Sequence, residues 1–294
     1  MEASTVSLKE ARREGMRRSW YRFSRSNVAI VGLVGVLLTI VLAIFAPLIA
    51  PYPQHASAFV DYENAMVPPS RAYLLGSDPS GRDILSRIIF ATRGALKMGI
   101  GVLAAVVPLG VVVGLIAGYH SGSAIGVIIM RITDIFLAVP PLLLALAVSA
   151  VLKPNLFNAM MAVSISWWPW YTRLVYSMVC SIKNEFYTQA AELTGASKSH
   201  IMFREILPNC LPPILTKMTL DIGFVILLGA SLSFVGLGEQ PPTPALGTMV
   251  ADGAKYMPQQ WWVAVFPGLA IMFIVLCFNL LGDGVRDTLS TEEV

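Results

Sequence analysis

The sequence predicts an all-α, polytopic membrane protein with six transmembrane helices, and three observations carry that reading. Hydrophobic residues make up 55% of the 294 residues and charged residues only 13%, with a mean hydropathy of +0.67; a soluble domain carries about 25% charged residues. The apolar residues lie in long runs, the clearest being the 23 residues from Val28 to Ala50, none of them charged. That suffices for a tilted crossing of a hydrocarbon core about 30 Å thick. The third observation is an uneven distribution of Lys and Arg between the segments that separate these runs.

The second run extends from Met98 to Tyr119, and the third from about Ala124 to Leu152, with Arg131 and Asp134 near its start and Pro140-Pro141 within it. The fourth covers about Leu156 to Tyr171, the fifth Ile222 to Gly238 and the sixth Trp261 to Leu281. Seven Lys or Arg residues precede the first run, from Lys9 to Arg25, which raises the alternative of a cleavable secretion signal. The run exceeds the roughly 7 to 15 residues of such a core, and no small-x-small site with a polar follow-on precedes Pro51, so it is assigned as a span.

With the N-terminus inside, cytoplasmic segments hold 14 of the 21 Lys and Arg: seven in the leader, Arg131, five from Arg173 to Lys217, and Arg286. The outside then holds six, Arg71, Arg82, Arg87, Arg93, Lys153 and Lys255, and Lys97 sits at a boundary. Cytoplasmic segments retain such an excess, and Trp20-Tyr21, Trp167 to Tyr171 and Trp261-Trp262 fall near span ends, where amphipathic rings favour the headgroup layer. The organisation that follows is a cytoplasmic basic segment (1–27), a transmembrane domain (28–290) with spans at about 28–50, 98–119, 124–152, 156–171, 222–238 and 261–281, and a tail (291–294). An extracytoplasmic loop covers 51–95 and a cytoplasmic loop 183–209, with both termini in the cytoplasm.

The cytoplasmic loop contains QAAELTGASKSHIMFREILPN, Gln189 to Asn209, a polar stretch in an apolar chain. Ala190, Ala191, Glu192 and Leu193 favour helix, Gly195 supplies the positive φ that ends one, and Ser197 caps the next. The second helix is expected to stop by Leu207, since Pro208 disfavours helical geometry in the residue before it. The result is an elbow whose small residues, Ala190, Ala191 and Gly195, allow close approach of another protein's surface. Composition alone leaves an amphipathic connecting loop as the plainer alternative.

The pattern Ala190-Ala191, Gly195 and Ile206-Leu207-Pro208 resembles the "EAA" loop of ABC importer permeases, with Gln189 in place of the motif's Glu and Glu205 where Ile is usual. LLGSDPSGRDILSR (Leu74 to Arg87), MRITDIFLAVPPLLLAL, SLSFVGLGEQPPTPALG and FPGLAIMFIVLCFNLLGDGVRD resemble further segments of the peptide, opine and nickel importer permeases, and of the second of their two membrane subunits in particular. Leu246 stands where that family often has Trp. The resemblance implies a type I ABC importer permease fold in a bacterial or archaeal inner membrane, serving di- or oligopeptides, with opines, glutathione, oligosaccharides or nickel chelates as alternative cargoes. It implies a loop, marked by Gln189, Ala190, Ala191, Glu192, Gly195, Leu207 and Pro208, that docks on cytoplasmic ATPases, and an outer motif of Gly76, Asp78, Gly81, Arg82 and Asp83. The implied partners are a homologous second permease in a heterodimer, two ABC ATPase subunits, an extracytoplasmic binding protein and the lipid bilayer, and no nucleic acid. No cofactor is implied for this chain, ATP and Mg belonging to the partner subunits.

Each motif also has a local meaning. Ser77 or Asp78 followed by Pro79 reads as the start of an interfacial helix, and Arg82 with Asp83 as a surface ion pair. Gly110, Gly114 and Gly118 line one face of the second span and favour close packing within the bundle over a dimer seam. Pro108, Pro140, Pro141, Pro169 and Pro267 interrupt four spans, as kinked packing or a translocation path would require. Arg131 and Asp134, three residues apart, are expected to pair with each other or with the interface.

The chain contains no GxxxxGK[ST] phosphate loop and no HExxH zinc motif, so it is expected to be a transport subunit without an ATPase site of its own. His55, His120 and His200 are dispersed, which disfavours a metal cluster, and Cys180, Cys210 and Cys277 lack framework spacing. A secondary carrier would call for inverted repeats or intramembrane ion ligands, and a membrane enzyme for clustered acids, nucleophiles or metal ligands near one interface.

Overall fold

The computed structural model of the chain describes residue 17 and residues 20–289. Most of the basic leader and the 291–294 tail therefore lie outside the described residues. Ser26 caps helix α1 (Asn27–Ile44), its Oγ accepting from Ala29 N–H at 3.3 Å. A bend at Phe45 leads into a short turn, α2 (Ala46–Ile49). Arg93 then donates to the carbonyls of Ala43 at 2.5 Å and Ile44 at 2.9 Å, satisfying α1 carbonyls that have no partner within the helix.

Helix α3 (Ile84–Tyr119) has 36 residues, about 54 Å at 1.5 Å per residue, well beyond a bilayer core of about 30 Å. It starts 14 residues before the expected span, because Arg87, Arg93 and Lys97 end a hydropathic run without ending a helix. The expected cap at Ser77 or Asp78 is also corrected: Asp83 is the N-cap, its Oδ2 accepting from Ser86 N–H at 2.7 Å. What looks like a separate interfacial helix is the N-terminal end of the second span.

The third run divides into α4 (Ala124–Leu137) and α5 (Pro141–Val151), bent by 85°. Pro140, held at ψ 130°, precedes a second proline that excludes helical geometry there. Helix α6 (Leu156–Ile182) continues 11 residues past the expected end at Tyr171, carrying Arg173 beyond the apolar stretch. After the polar loop region come α9 (Leu207–Phe234), α10 (Leu246–Ala254) and α11 (Trp262–Leu289). Among the described residues, four helices, α1, α3, α9 with the turns before it, and α11, are long and apolar enough to cross a membrane, and the bent pair α4 and α5 adds a fifth if it is one span.

The core is built on the contact of α3 with α6. Cβ atoms at Gly110, Gly114 and Gly118 would lie 2.8 Å from Trp168 O, 2.7 Å from Thr172 O and 3.1 Å from Tyr176 O. The three glycines thus let two backbones touch inside this bundle, as their spacing predicts. Val102, Val106, Leu115, Val163, Tyr171 and Val175 fill the surrounding core. Large apolar side chains along α1, α4 and α5 remain exposed, among them Leu37, Ile128 and Leu143, the composition of a surface that faces lipid or another apolar helix.

Candidate functional site

The polar loop folds as two arms. Helix α7 (Phe186–Leu193) ends at Gly195, whose φ is +84°. There Ala196 N–H donates to Ala191 O at 3.0 Å and Gly195 N–H to Glu192 O at 3.0 Å, the pair of bonds that closes a helix through a left-handed residue. Ser197 Oγ then accepts from His200 N–H at 3.3 Å, capping α8 (Lys198–His200).

Past α8 the expected stop at Pro208 does not occur. A π turn spans Ile201–Ile206, Leu207 N–H donating to Met202 O, and runs directly into α9. Pro208 sits in the first turn of α9, where its missing N–H costs little, while the wide turn before it accommodates the ring that would clash in a regular helix. The second arm is accordingly an extension of the next span. Its sides are tied: Asn209 Nδ2 donates to the Tyr187 hydroxyl at 3.1 Å and to Glu205 O at 2.7 Å. Ile201, Met202 and Ile206 are buried, as is Thr188, which donates to Ile182 O at 3.0 Å.

The elbow gathers the expected residues unevenly. Gln189, Ala190, Glu192 and Gly195 are exposed, whereas Ala191 and Leu207 pack on the bundle and Pro208 opens α9. Gln189 Nε2 donates to Asn184 O at 3.0 Å, so it closes the elbow's own entry. Glu205 faces His200, Oε1 to Nε2 at 3.4 Å, across one turn of the second arm. Two side chains that motif reading passed over are more prominent: Phe186 and Leu193 are 89% and 90% exposed. Their spacing of seven puts both on one face of α7, an apolar edge turned away from the bundle.

Inside the bundle, Asp221 of α9 is buried, and its Oδ2 accepts from Trp167 Nε1–H of α6 at 2.9 Å. Lys217 Nζ lies 3.1 Å from the same carboxylate and 5.3 Å from the centroid of the Tyr171 ring. Ionisable groups at such depth mark function or a structural lock. Asp221 escaped sequence reading because it falls one residue before the apolar run, and Trp167 is 54 positions away. The expected Arg131–Asp134 pair is likewise replaced, since Asp134 pairs with Arg173 of α6 at 2.9 Å.

The motif from Gly76 to Asp83 is a folding device. Asp78 Oδ1 accepts from Ser80 N–H at 2.8 Å and Arg82 N–H at 2.9 Å, and Oδ2 from Arg82 Nε at 2.7 Å. Arg82 therefore pairs with Asp78, and the expected surface pair with Asp83 is not formed because Asp83 caps α3. Gly81 has φ +75° and presses on Asp61 O, so a Cβ has no room there. Gly76, also at positive φ, packs on Trp262. His55 is buried, stacked between Tyr52 and Phe59 at 4.9 and 4.2 Å, and its Nδ1 accepts from Asp83 N–H at 2.9 Å. Burial pushes the His55 imidazole below its usual value, against the raising effect of Asp83 and Asp78.

Residues 110–291 match the family described as binding-protein-dependent transport system inner membrane component, and residues 16–69 match the N-terminal TM domain of oligopeptide transport permease C. The chain belongs to this transport family. The permease is 42% identical to the di/tripeptide transport system permease protein DppC of Pseudomonas aeruginosa, over 94% of this chain and 92% of that one. It is 43% identical to the dipeptide transport system permease protein DppC of Escherichia coli K12, over 94% and 93%, and 42% identical to the glutathione transport system permease protein GsiD of Pectobacterium atrosepticum, over 94% and 91%. Its fold is similar to that of the MetNI methionine ABC transporter in inward-facing form, with a TM-score of 0.57, 18% identity, and coverage of 69% of this chain and 96% of that one. It is a multi-pass inner-membrane permease subunit of the ABC importer type, not an enzyme, and the family lacks an ATPase domain of its own.

Proposed function

We propose that the permease forms half of the pathway of a di- or oligopeptide importer, paired with a homologous second permease. Two cytoplasmic ATPases, which bind ATP and Mg, drive it, and an extracytoplasmic binding protein supplies it. Both termini and the Ala190 to Pro208 elbow lie in the cytoplasm, and the elbow docks on an ATPase. The observation that carries this reading is the continuity of the elbow with α9: closed by Gly195, tied by Asn209 and fused through the π turn, it moves as one body with a span. Swinging an inward-outward equilibrium from 1:99 to 99:1 takes about 5.5 kcal/mol of differential binding, which a tied arm transmits and a loose loop dissipates. Phe186 and Leu193 supply the apolar anchors, and exposed Ala190 and Gly195 the close approach. A cysteine at Leu193 is expected to cross-link to an ATPase subunit in the assembled importer, with a yield that changes on nucleotide binding; absence of any cross-link at Phe186, Leu193 and Gly195 would remove the elbow from the interface.

Peptide cargo is supported by relatives named for dipeptides and for di/tripeptides at 42 to 43% identity. The relative named for glutathione, at 42%, favours a second reading in which the cargo is a modified tripeptide. Competition of labelled dipeptide uptake by unlabelled glutathione and by peptides of graded length separates the two.

A further inference from the structure

The outer cap and the corner between α10 and α11 enclose a cavity of about 220 Å³ whose charged lining is Asp78, Arg82, Arg87, Asp252 and Lys255, with Ser80 and Tyr256 beside them. Three cations face two carboxylates, and both carboxylates are already engaged. Asp78 holds two backbone N–H groups and Arg82 Nε, and Asp252 holds Lys255 at 2.9 Å. Arg87 is 5% exposed and gives Nη1 to His55 O at 3.2 Å. Its Nε lies 3.4 Å from Asp78 Oδ2 and makes no hydrogen bond. Arg87 thus shares the Asp78 carboxylate with Arg82, and the cavity wall is left with three cations against two carboxylates. An arginine fork beside an ammonium matches a carboxylate in shape and charge. The space holds about seven waters at about 30 Å³ each, which admits the tip of a carboxylate side chain and falls short of the roughly 300 to 1,000 Å³ of a pocket for a whole small molecule.

We propose that this cavity binds a carboxylate, presented by a side chain of the protein that docks on the outer face; this assignment of source rests on the orientation and partner set proposed above. The guanidinium of Arg87 receives it at depth, with Arg82 and Lys255 at the rim.

The test uses the assembled importer in nanodiscs. Sodium acetate, compared with sodium chloride at equal ionic strength, is expected to raise the unfolding midpoint saturably, as a ligand of the folded state does. Arg87→Gln and Lys255→Glu are expected to lose the response. No acetate-specific shift in the unaltered importer overturns the proposal and leaves water as the occupant. Should Arg87→Gln fail to assemble, Lys255→Glu decides, because the Lys255 side chain is 69% exposed, and a retained response there overturns the proposal. In a second arm, Lys255→Glu is expected to weaken association of the binding protein at least tenfold. Unchanged association with a raised KM for free dipeptides, but not for C-terminally amidated ones, would assign the carboxylate to the cargo. An acetate response with neither effect overturns the proposal as an adventitious ion only. Labelling of Lys255→Cys by a membrane-impermeant maleimide from the outside checks orientation separately, so its failure would sink the topology and leave the acetate result standing.

Discussion

Gly195 separates backbone strain from steric exclusion at the elbow. Its φ of +84° is left-handed, and nothing lies within 4 Å of where a Cβ would point. Any ordinary L-residue there pays about 1 to 2 kcal/mol for the conformation, and within this chain the side chain meets no clash. Asn tolerates that region. Gly195→Asn should therefore be nearly silent, and Gly195→Ala should weaken closure of the elbow by about tenfold at about 1.4 kcal/mol. Gly195→Trp should destabilise the isolated permease no more than Ala does, yet its bulk stands where the docking partner proposed above would approach. The assay is uptake of labelled dipeptide by cells expressing each variant, with membrane level and thermal unfolding measured in parallel. Asn near the unaltered rate, Ala partly reduced and Trp abolished, at equal membrane levels, is the expected order. Trp transporting as well as Ala would refute the docking argument, because strain alone would then account for the position.

Three further outcomes test other parts of the structure. Gly114→Leu should lower the amount of folded permease, since its Cβ would lie 2.7 Å from Thr172 O and 2.8 Å from Val175 Cβ; overpacking of this kind costs about 1 to 3 kcal/mol or more, read as a drop in unfolding midpoint in detergent. Asp221→Ala strands the Lys217 ammonium and the Trp167 N–H in the bundle, with an expected loss of about 3 to 5 kcal/mol, and a double variant with Lys217→Met should recover much of it. The His55 imidazole is held neutral as an acceptor, with its folded value below the ordinary one of about 6.5. The unfolded chain thus binds the proton first as pH falls. The stabilising contribution is complete above about 6.5 and is lost as pH drops from there through the folded value, and His55→Gln should flatten that part of the unfolding profile.

What the sequence made legible is local. Charge-free length marked α1, the four-residue glycine spacing marked the seam against α6, and Gly195 and Ser197 marked the elbow's end and restart, each a property of a few adjacent residues. What stayed hidden depends on partners far along the chain. Hydropathy placed the second span at Met98, since charge enters that measure while helix geometry continues through Arg87 and Arg93. Asp134 found Arg173 across a helix contact 39 residues distant, and Asp221 found Trp167 in the same way. Pro208 was misjudged because the rule for prolines assumes a regular helix before them, and the π turn removes that premise.

That wide turn has a bearing on how such chains vary. A five-residue loop of hydrogen bonding takes up one extra residue within a single revolution. Insertion or loss of a residue between Ile201 and Ile206 can therefore be absorbed on the spot, without rotating Asp221 or Gly223 away from α6 and α11. The reach of the elbow arm can be adjusted while the rest of α9 keeps its angular setting, so the two ends of one rod are free to diverge independently.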